Sequence, residues 1–276
     1  MLKFAIMSSN CPDWTFEQMV DGAVRYGYQG VDVRVEWNHR HGLELDATAE
    51  ARAHARRYAA DHGIAVSCVA LSTRLARATQ AERDEAVEQV RRYAQLAADL
   101  GCSLLRVFGG RLPEGHTMEA LRPHTAETLA RAAMAATPFG VTPCLEVHDQ
   151  HNNPADVAWI VERAAHLMPG LQTGRGSAGG IGVLWHVYHH VRIGISVDDA
   201  YRQLKGWVRH LHSGRGGAVP MTEDDHYLAR AFELLQRDGF DGYAGNEWII
   251  KRNDEMDPDE HLPRAIEMLH RWRGAA

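Results

Sequence analysis

The sequence predicts a single (β/α)8 TIM barrel, an α/β fold closed by eight parallel strands. Three observations carry that expectation. Short β-rich apolar runs alternate with longer helical stretches from one end of the chain to the other. The 276 residues are close to the roughly 250 typical of such a barrel. No left-over block is large enough for a second domain, so residues 1–276 read as one. Regular β/α alternation calls for a parallel sheet, and right-handed crossovers repeated eight times close it. A doubly wound open sheet is the other fold with this alternation, but it usually carries a Gly-rich turn after its first strand. Here that segment is Ser8-Ser9-Asn10-Cys11-Pro12.

The first strand is expected near Phe4, followed by a helix over 16–26 whose start has Thr15 and Gln18 at capping-box spacing. Gly27 stops that helix before a second strand near Val31; a left-handed residue is wanted at such a stop, and glycine supplies it. The helix over 47–62 likewise ends at Gly63 before a strand near Val66, and the helix over 81–100 at Gly101 before a strand near Leu104. A helix over 118–137 leads through Gly140 to the fifth strand near Val141. Pro154 opens the helix over 154–167, where its missing N–H costs nothing. The Gly-rich stretch 170–182 runs into the sixth strand near Ile181. It reads as a connector on the face opposite the active site, with no helix N-terminus after it to hold an anion. A helix over 197–204, a strand near Val208, a helix over 227–237 stopped by Gly239, a strand near Tyr243 and a helix over 259–271 complete the series.

Composition removes several functions. The formal net charge of −6 argues against a nucleic-acid partner, because phosphate backbones are held by clustered positive charge. No apolar run approaches the roughly 20 residues that span a bilayer, and the apolar start is too short for a signal peptide. No membrane partner and a cytoplasmic location are therefore expected. The four cysteines, Cys11, Cys68, Cys102 and Cys144, form no C-x-x-C pair and read as reduced thiols. Only Lys3, Lys205 and Lys251 are lysine, so 27 of the 30 basic residues are arginine; Lys3 and Lys205 are not placed for Schiff-base chemistry, which leaves Lys251 as a weak candidate for it.

In a barrel, polar residues that close an apolar strand reach the catalytic face. Strand five closes on Glu146-Val147-His148-Asp149, strand six on Trp185-His186-Val187-Tyr188-His189-His190, strand seven on His210-Leu211-His212 and strand eight on Asn246-Glu247-Trp248. Any one of these is readily a structural residue. Together, carboxylates and imidazoles at the ends of consecutive strands converge on one point, and buried charges need a partner or a metal. Such mixed ligands suit Mn²⁺, Co²⁺, Fe²⁺, Zn²⁺ or Mg²⁺. Trp14, Trp37, Phe108 and Trp248 are candidate apolar walls, and Arg34, Arg106 and His148 candidates to reach the pocket. Gly214-Arg215-Gly216-Gly217 lies on the catalytic face, but no matching phosphate partner is visible, and an unphosphorylated substrate is expected.

On Leu145-Glu146-Val147-His148, Gly182 to His189, His210-Leu211-His212 and Gly239-Phe240-Asp241-Gly242 leading to Glu247, the chain resembles the sugar phosphate isomerase/epimerase superfamily, the xylose-isomerase-like TIM barrels. The resemblance covers nearly the whole chain. It implies one divalent ion held by Glu146, His186, His212 and Glu247, with the two glutamates as catalytic residues that exchange the proton beside a substrate carbonyl. It implies substrate contacts at His189 and Arg215. The implied function is a metal-dependent isomerase or epimerase acting on a ketose or cyclitol-like hydroxy-ketone through an enediolate. A dehydratase or C-glycoside-type lyase on the same scaffold is the alternative. One departure stands out: the family has Trp-Asp-x-x-His after strand six, and this chain has Trp185-His186-Val187-Tyr188-His189. Replacing a carboxylate by an imidazole removes a negative charge, and it is the one feature favouring a barrel that has lost the reaction and serves as a binding subunit. The superfamily's DNA-repair endonuclease branch uses three metal ions and a basic surface, and the acidic charge argues against it. A small sugar-like molecule is thus the expected partner, and the sequence is compatible with a homo-oligomer.

Overall fold

The computed structural model describes residues 1–168, 180–215, 222, 225–249 and 257–274. Most of the stretch 170–182, together with Gly216, Gly217 and Lys251, lies outside these described residues. Eight parallel strands close a barrel in sequence order. They are β1 (Lys3–Met7), β2 (Gly30–Arg34), β3 (Ala65–Arg74), β4 (Leu104–Phe108), β5 (Thr142–Glu146), β6 (Gly182–His186), β7 (Val208–His212) and β8 (Tyr243–Asn246). The barrel closes where Lys3 of β1 registers with Tyr243 of β8.

Around it stand α1 (Phe16–Tyr26), α2 (Ala49–Asp61), α3 (Gln80–Asp99), α4 (Met118–Ala136), α5 (Pro154–His166), α6 (Val187–Val191), α7 (Val197–Leu204), α8 (His226–Arg237) and α9 (Pro258–Gly274). Thr15 and Gln18 make the reciprocal capping box at the start of α1. Thr79 and Glu82 make a second one on α3 that the sequence reading passed over. Gly27 takes φ +83°, a left-handed conformation that lets the chain leave α1 and enter β2 within three residues.

One element differs from expectation. The sequence predicts that the run 185–190 closes strand six, but the strand stops at His186 and α6 begins at Val187. The turn is fixed from inside: Trp185 Nε1 donates to His190 Nε2 at 3.1 Å, while His190 Nδ1 lies 3.1 Å from the Ile195 carbonyl. With Nε2 accepting, Nδ1 must carry the proton of a neutral ring. That agrees with burial pulling the His190 imidazole down to about 4.

Strand residues alternate between two environments, as the pleat requires. Ile6, Val31, Val33, Leu105, Val107, Leu145, Val183, Trp185 and Leu211 face the helices in one continuous core. Each fully buried aliphatic side chain there contributes roughly 1.5–3 kcal/mol. Inside the barrel, Cys68, Cys144 and Leu184 form a small apolar cluster, with Leu104 against them. The interior above that plug is polar and charged, with Asp32, Arg106, Glu146, His186, His210 and His212 all at 0% exposure. All four cysteines are free and buried. Among the described residues, no helix is long and apolar enough to cross a membrane.

Candidate active site

Glu146, His186 and His212 are the last residues of β5, β6 and β7, and Glu247 directly follows β8. Parallel register stacks these ends side by side: His186 pairs with His212, and His212 with Gly245. Two glycines let the backbone close in. A Cβ on Gly214 would sit 1.7 Å from the Glu247 carbonyl oxygen, and one on Gly245 only 1.9 Å from Asp32 Oδ2. The strand-end side chains therefore meet. His212 Nδ1 lies 3.4 Å from Glu146 Oε1 and 3.2 Å from Glu247 Oε2, and His186 Nε2 lies 3.3 Å from the same Glu247 oxygen. Glu146, His212 and Glu247 can offer ligand atoms within 4.8 Å of one another, and so can Glu146, His186 and His189.

This donor set fits a divalent ion. Both oxygens of Glu146 and both ring nitrogens of His186 and of His212 are buried without a hydrogen-bond partner. Unsatisfied buried polar atoms are rare and costly, and here they point at one another from neighbouring strands. The electrostatics say the same. Burial pulls the His212 imidazole down, yet Glu247 and Glu146 push it up to about 10. Two carboxylates in the barrel mouth call for a cation, and without a metal a proton on His212 supplies part of it.

Arginine supplies the rest. Arg106 of β4 is fully buried and donates from Nε and Nη2 to the Leu71 carbonyl at 3.2 and 3.0 Å. Its Nη1 reaches Glu247 Oε1 at 3.4 Å and its Nε lies 3.5 Å from Glu146 Oε2. Burial raises the Glu146 carboxyl, but Arg106 and His212 hold it down at about 2. Glu247, buried as well, is held well below the usual carboxylate range chiefly by His212 and His186.

Behind His212 sits a pair the sequence reading did not single out. Asp32 of β2 accepts from Ser67 Oγ at 2.5 Å and lies 2.8 Å from His210 Nε2 and 3.8 Å from His212 Nε2. The carboxylate thus faces one side of the His212 ring while Nδ1 faces the glutamates. At 3.8 Å Asp32 makes no hydrogen bond to His212 and acts on the ring through its charge, which raises the imidazole's basicity, while its hydrogen bond goes to His210. Asp32→Asn is expected to weaken divalent-ion binding roughly 10- to 100-fold while leaving the barrel folded. Calorimetric metal titration beside a circular dichroism melt checks this; unchanged affinity in a folded variant contradicts it.

A cavity of about 250 Å³ opens above these residues, and Phe108, His148, His186, His189 and Glu247 are in its wall. The His189 ring lies 4.2 Å from both His186 and His148, and Phe108 lies 4.6 Å from His148. Burial and its two imidazole neighbours pull His189 down to about 2, so it is a neutral hydrogen-bonding group at physiological pH. Trp14 is not among the residues of the cavity wall. Its ring packs over Gly22 of α1, away from the cavity, and Trp37 provides the indole wall instead. Arg215 also stands apart from the lining. Its guanidinium lies 5.5 Å from the Tyr188 ring, its carbonyl accepts from Arg192, and Arg192 lines the cavity. Trp248 is 5% exposed with its ring against His261, not in the lining.

A family model described as xylose isomerase-like TIM barrel matches residues 20–272. Curated sequences give no match. Among solved structures, D-psicose 3-epimerase in the presence of D-fructose is similar at a TM-score of 0.79 and 15% identity, over 99% of this chain and 100% of that one. L-ribulose 3-epimerase is similar at 0.78 and 19%, over 100% and 95%. The IOLI protein with a zinc atom is similar at 0.79 and 13%, over 99% of each. At these identities the likeness speaks for the fold.

Proposed function

The chain belongs to the xylose isomerase-like TIM barrel family, and on that premise we propose that it is a metal-dependent isomerase or epimerase of a ketose or cyclitol-like hydroxy-ketone. The observation that carries this reading is the convergence of two buried carboxylates and two buried imidazoles, of which Glu146, His186 and His212 have polar atoms without hydrogen-bond partners. Glu146, His186, His212 and Glu247 would hold one divalent ion. When bound, such an ion polarises the substrate carbonyl and offsets the negative charge that develops on its oxygen.

The chain's own residues do the rest. Glu146 and Glu247, both ionised at neutral pH, are placed to accept a proton from the carbon beside the carbonyl and to return one, by way of an enediolate. Neutral His189 and the rim residue His148 are placed to hydrogen-bond sugar hydroxyls, with Phe108 and Trp37 shielding the reacting carbon from water. Four buried free thiols suit a reducing, cytoplasmic compartment. Incubation with ketoses and inososes in D₂O tests the reading. Deuterium is expected at the carbon beside the carbonyl, and turnover with full retention of the original hydrogen there would refute it. Loss of water or of an aglycone alongside the exchange would assign the chain to lyase chemistry instead.

Two further outcomes follow from the imidazoles. The His212 proton, held to about 10, must leave before the ring can ligate. Metal affinity should therefore climb about tenfold per pH unit between pH 7 and 9, with about one proton released. Affinity independent of pH over that range would show that His212 does not ligate. Because His186 stands where the family pattern has Asp, hard ions lose a negative ligand. His186→Asp is expected to shift preference from Zn²⁺ or Co²⁺ towards Mg²⁺ or Mn²⁺ by about an order of magnitude. If the wild type binds no divalent ion while the variant binds one tightly, the family site has been lost here.

A further inference from the structure

We infer that the substrate of this site is acidic: a hydroxy-ketone that also carries a carboxylate or phosphate oxyanion, anchored by Arg34. The inference rests on the reading above for the reaction but on different residues for the substrate. Arg34, the last residue of β2, is only 5% exposed, and its guanidinium lies 3.6 Å from the Trp37 ring centroid. Its Nε and Nη1 are buried without a hydrogen-bond partner, and the nearest carboxylate oxygen, Glu247 Oε1, is 3.9 Å from Nη1. That is too far for a hydrogen bond. A guanidinium held over an indole, with two donors free of hydrogen bonds and its side chain in a cavity wall, is suited to receive an oxyanion. Arg74, Arg111 and Arg192 line the same cavity, against Asp149 and Glu247 as its acidic wall residues. A chain of net charge −6 thus gathers arginine at this mouth.

Charge balance leads to the same place. Arg34 and Arg106 match Glu146 and Glu247, and the buried carboxylate of Asp32 behind His212 adds one further negative charge. A divalent ion at the glutamates, with both imidazoles ligating through unprotonated nitrogens, then leaves one positive charge uncompensated in a largely buried site, which is unfavourable. A neutral sugar does not relieve this. A carboxylate or phosphate on the substrate does, and the focused positive potential would also draw it in.

Isothermal titration of wild type, Arg34→Gln and Arg34→Lys with 5-keto-D-gluconate, D-fructose 6-phosphate and D-fructose tests the inference, with Mn²⁺-loaded and with chelator-treated protein. At least one anionic probe should bind wild type about tenfold or more tighter than D-fructose in the loaded protein. Whichever of the two carries the preference identifies the oxyanion. Arg34→Gln should abolish the preference, and Arg34→Lys, which keeps the charge should Gln not fold, should weaken it about threefold or more. D-fructose binding as tightly as both anions, or a preference unchanged in both variants, overturns the inference. The two readings fail separately. Deuterium uptake into D-fructose without any anion preference overturns the acidic substrate and leaves the isomerase standing. An Arg34-dependent anion preference with no deuterium uptake in any probe does the reverse.

Discussion

Glu146→Gln is expected to lower turnover by roughly 10²-fold or more, and to cost far less in metal affinity. The amide preserves the size of a fully buried side chain and keeps one oxygen facing His212 Nδ1, 3.4 Å away. What it loses is the ability to take a proton. In the wild type the buried carboxyl is ionised and so free to take one, because Arg106 and His212 hold it at about 2. The comparison is kcat beside the metal dissociation constant, measured on the same preparations. Equal losses in both would reduce Glu146 to a ligand, and unchanged kcat would remove it from the chemistry.

Arg106→Met is expected to destabilise the metal-free protein by about 3–5 kcal/mol, the usual cost of leaving a buried charge without its partner. Arg106 lies within 3.5 Å of both Glu146 and Glu247 at 0% exposure, and Met retains most of its apolar bulk. The loss should shrink once a divalent ion is added, because the cation then takes over as counter-charge. It should also shrink in acid. Glu146 is held below its ordinary value of 4.5, so its stabilising share is full above that value and lost as pH falls towards 2. In the variant the carboxyl takes up its proton at higher pH, and the gap between the two proteins narrows. Urea unfolding at pH 7 and pH 4, with chelator and with metal, measures all three. A loss under about 1 kcal/mol at pH 7 would be that of a weak surface pair, and would mean the glutamates are neutralised elsewhere.

The strands were legible because an apolar run, a polar closing residue and a helix ending in glycine recur around the barrel. The four converging residues were legible for the same reason, since the end of a strand fixes both face and depth. Other features depend on geometry that strand order does not encode. Trp14 lies near a strand end in sequence, but its direction is set by the space over Gly22. The histidine-rich segment after Trp185 looks like more strand, and only the contact between Trp185 and His190 shows that the chain turns into a helix. Asp32 and His210 are 178 residues apart, and their pairing needs the barrel closed. A signal for them was nonetheless present: in Gly30-Val31-Asp32-Val33-Arg34 the two charged residues share one face of an otherwise apolar strand. A charge on the inward face of a barrel strand must be answered by another strand, which is how Asp32 meets His210 and how Arg34 comes to face Glu247.

The central claim is that Glu146, His186, His212 and Glu247 hold one divalent ion. Elemental analysis of protein purified without added metal, followed by titration of the stripped protein at pH 8, tests it most directly. The expected result is one divalent ion per chain, retained by the wild type and lost from a folded His212→Ala variant. A wild-type protein that carries no ion and takes up none on titration would contradict the account.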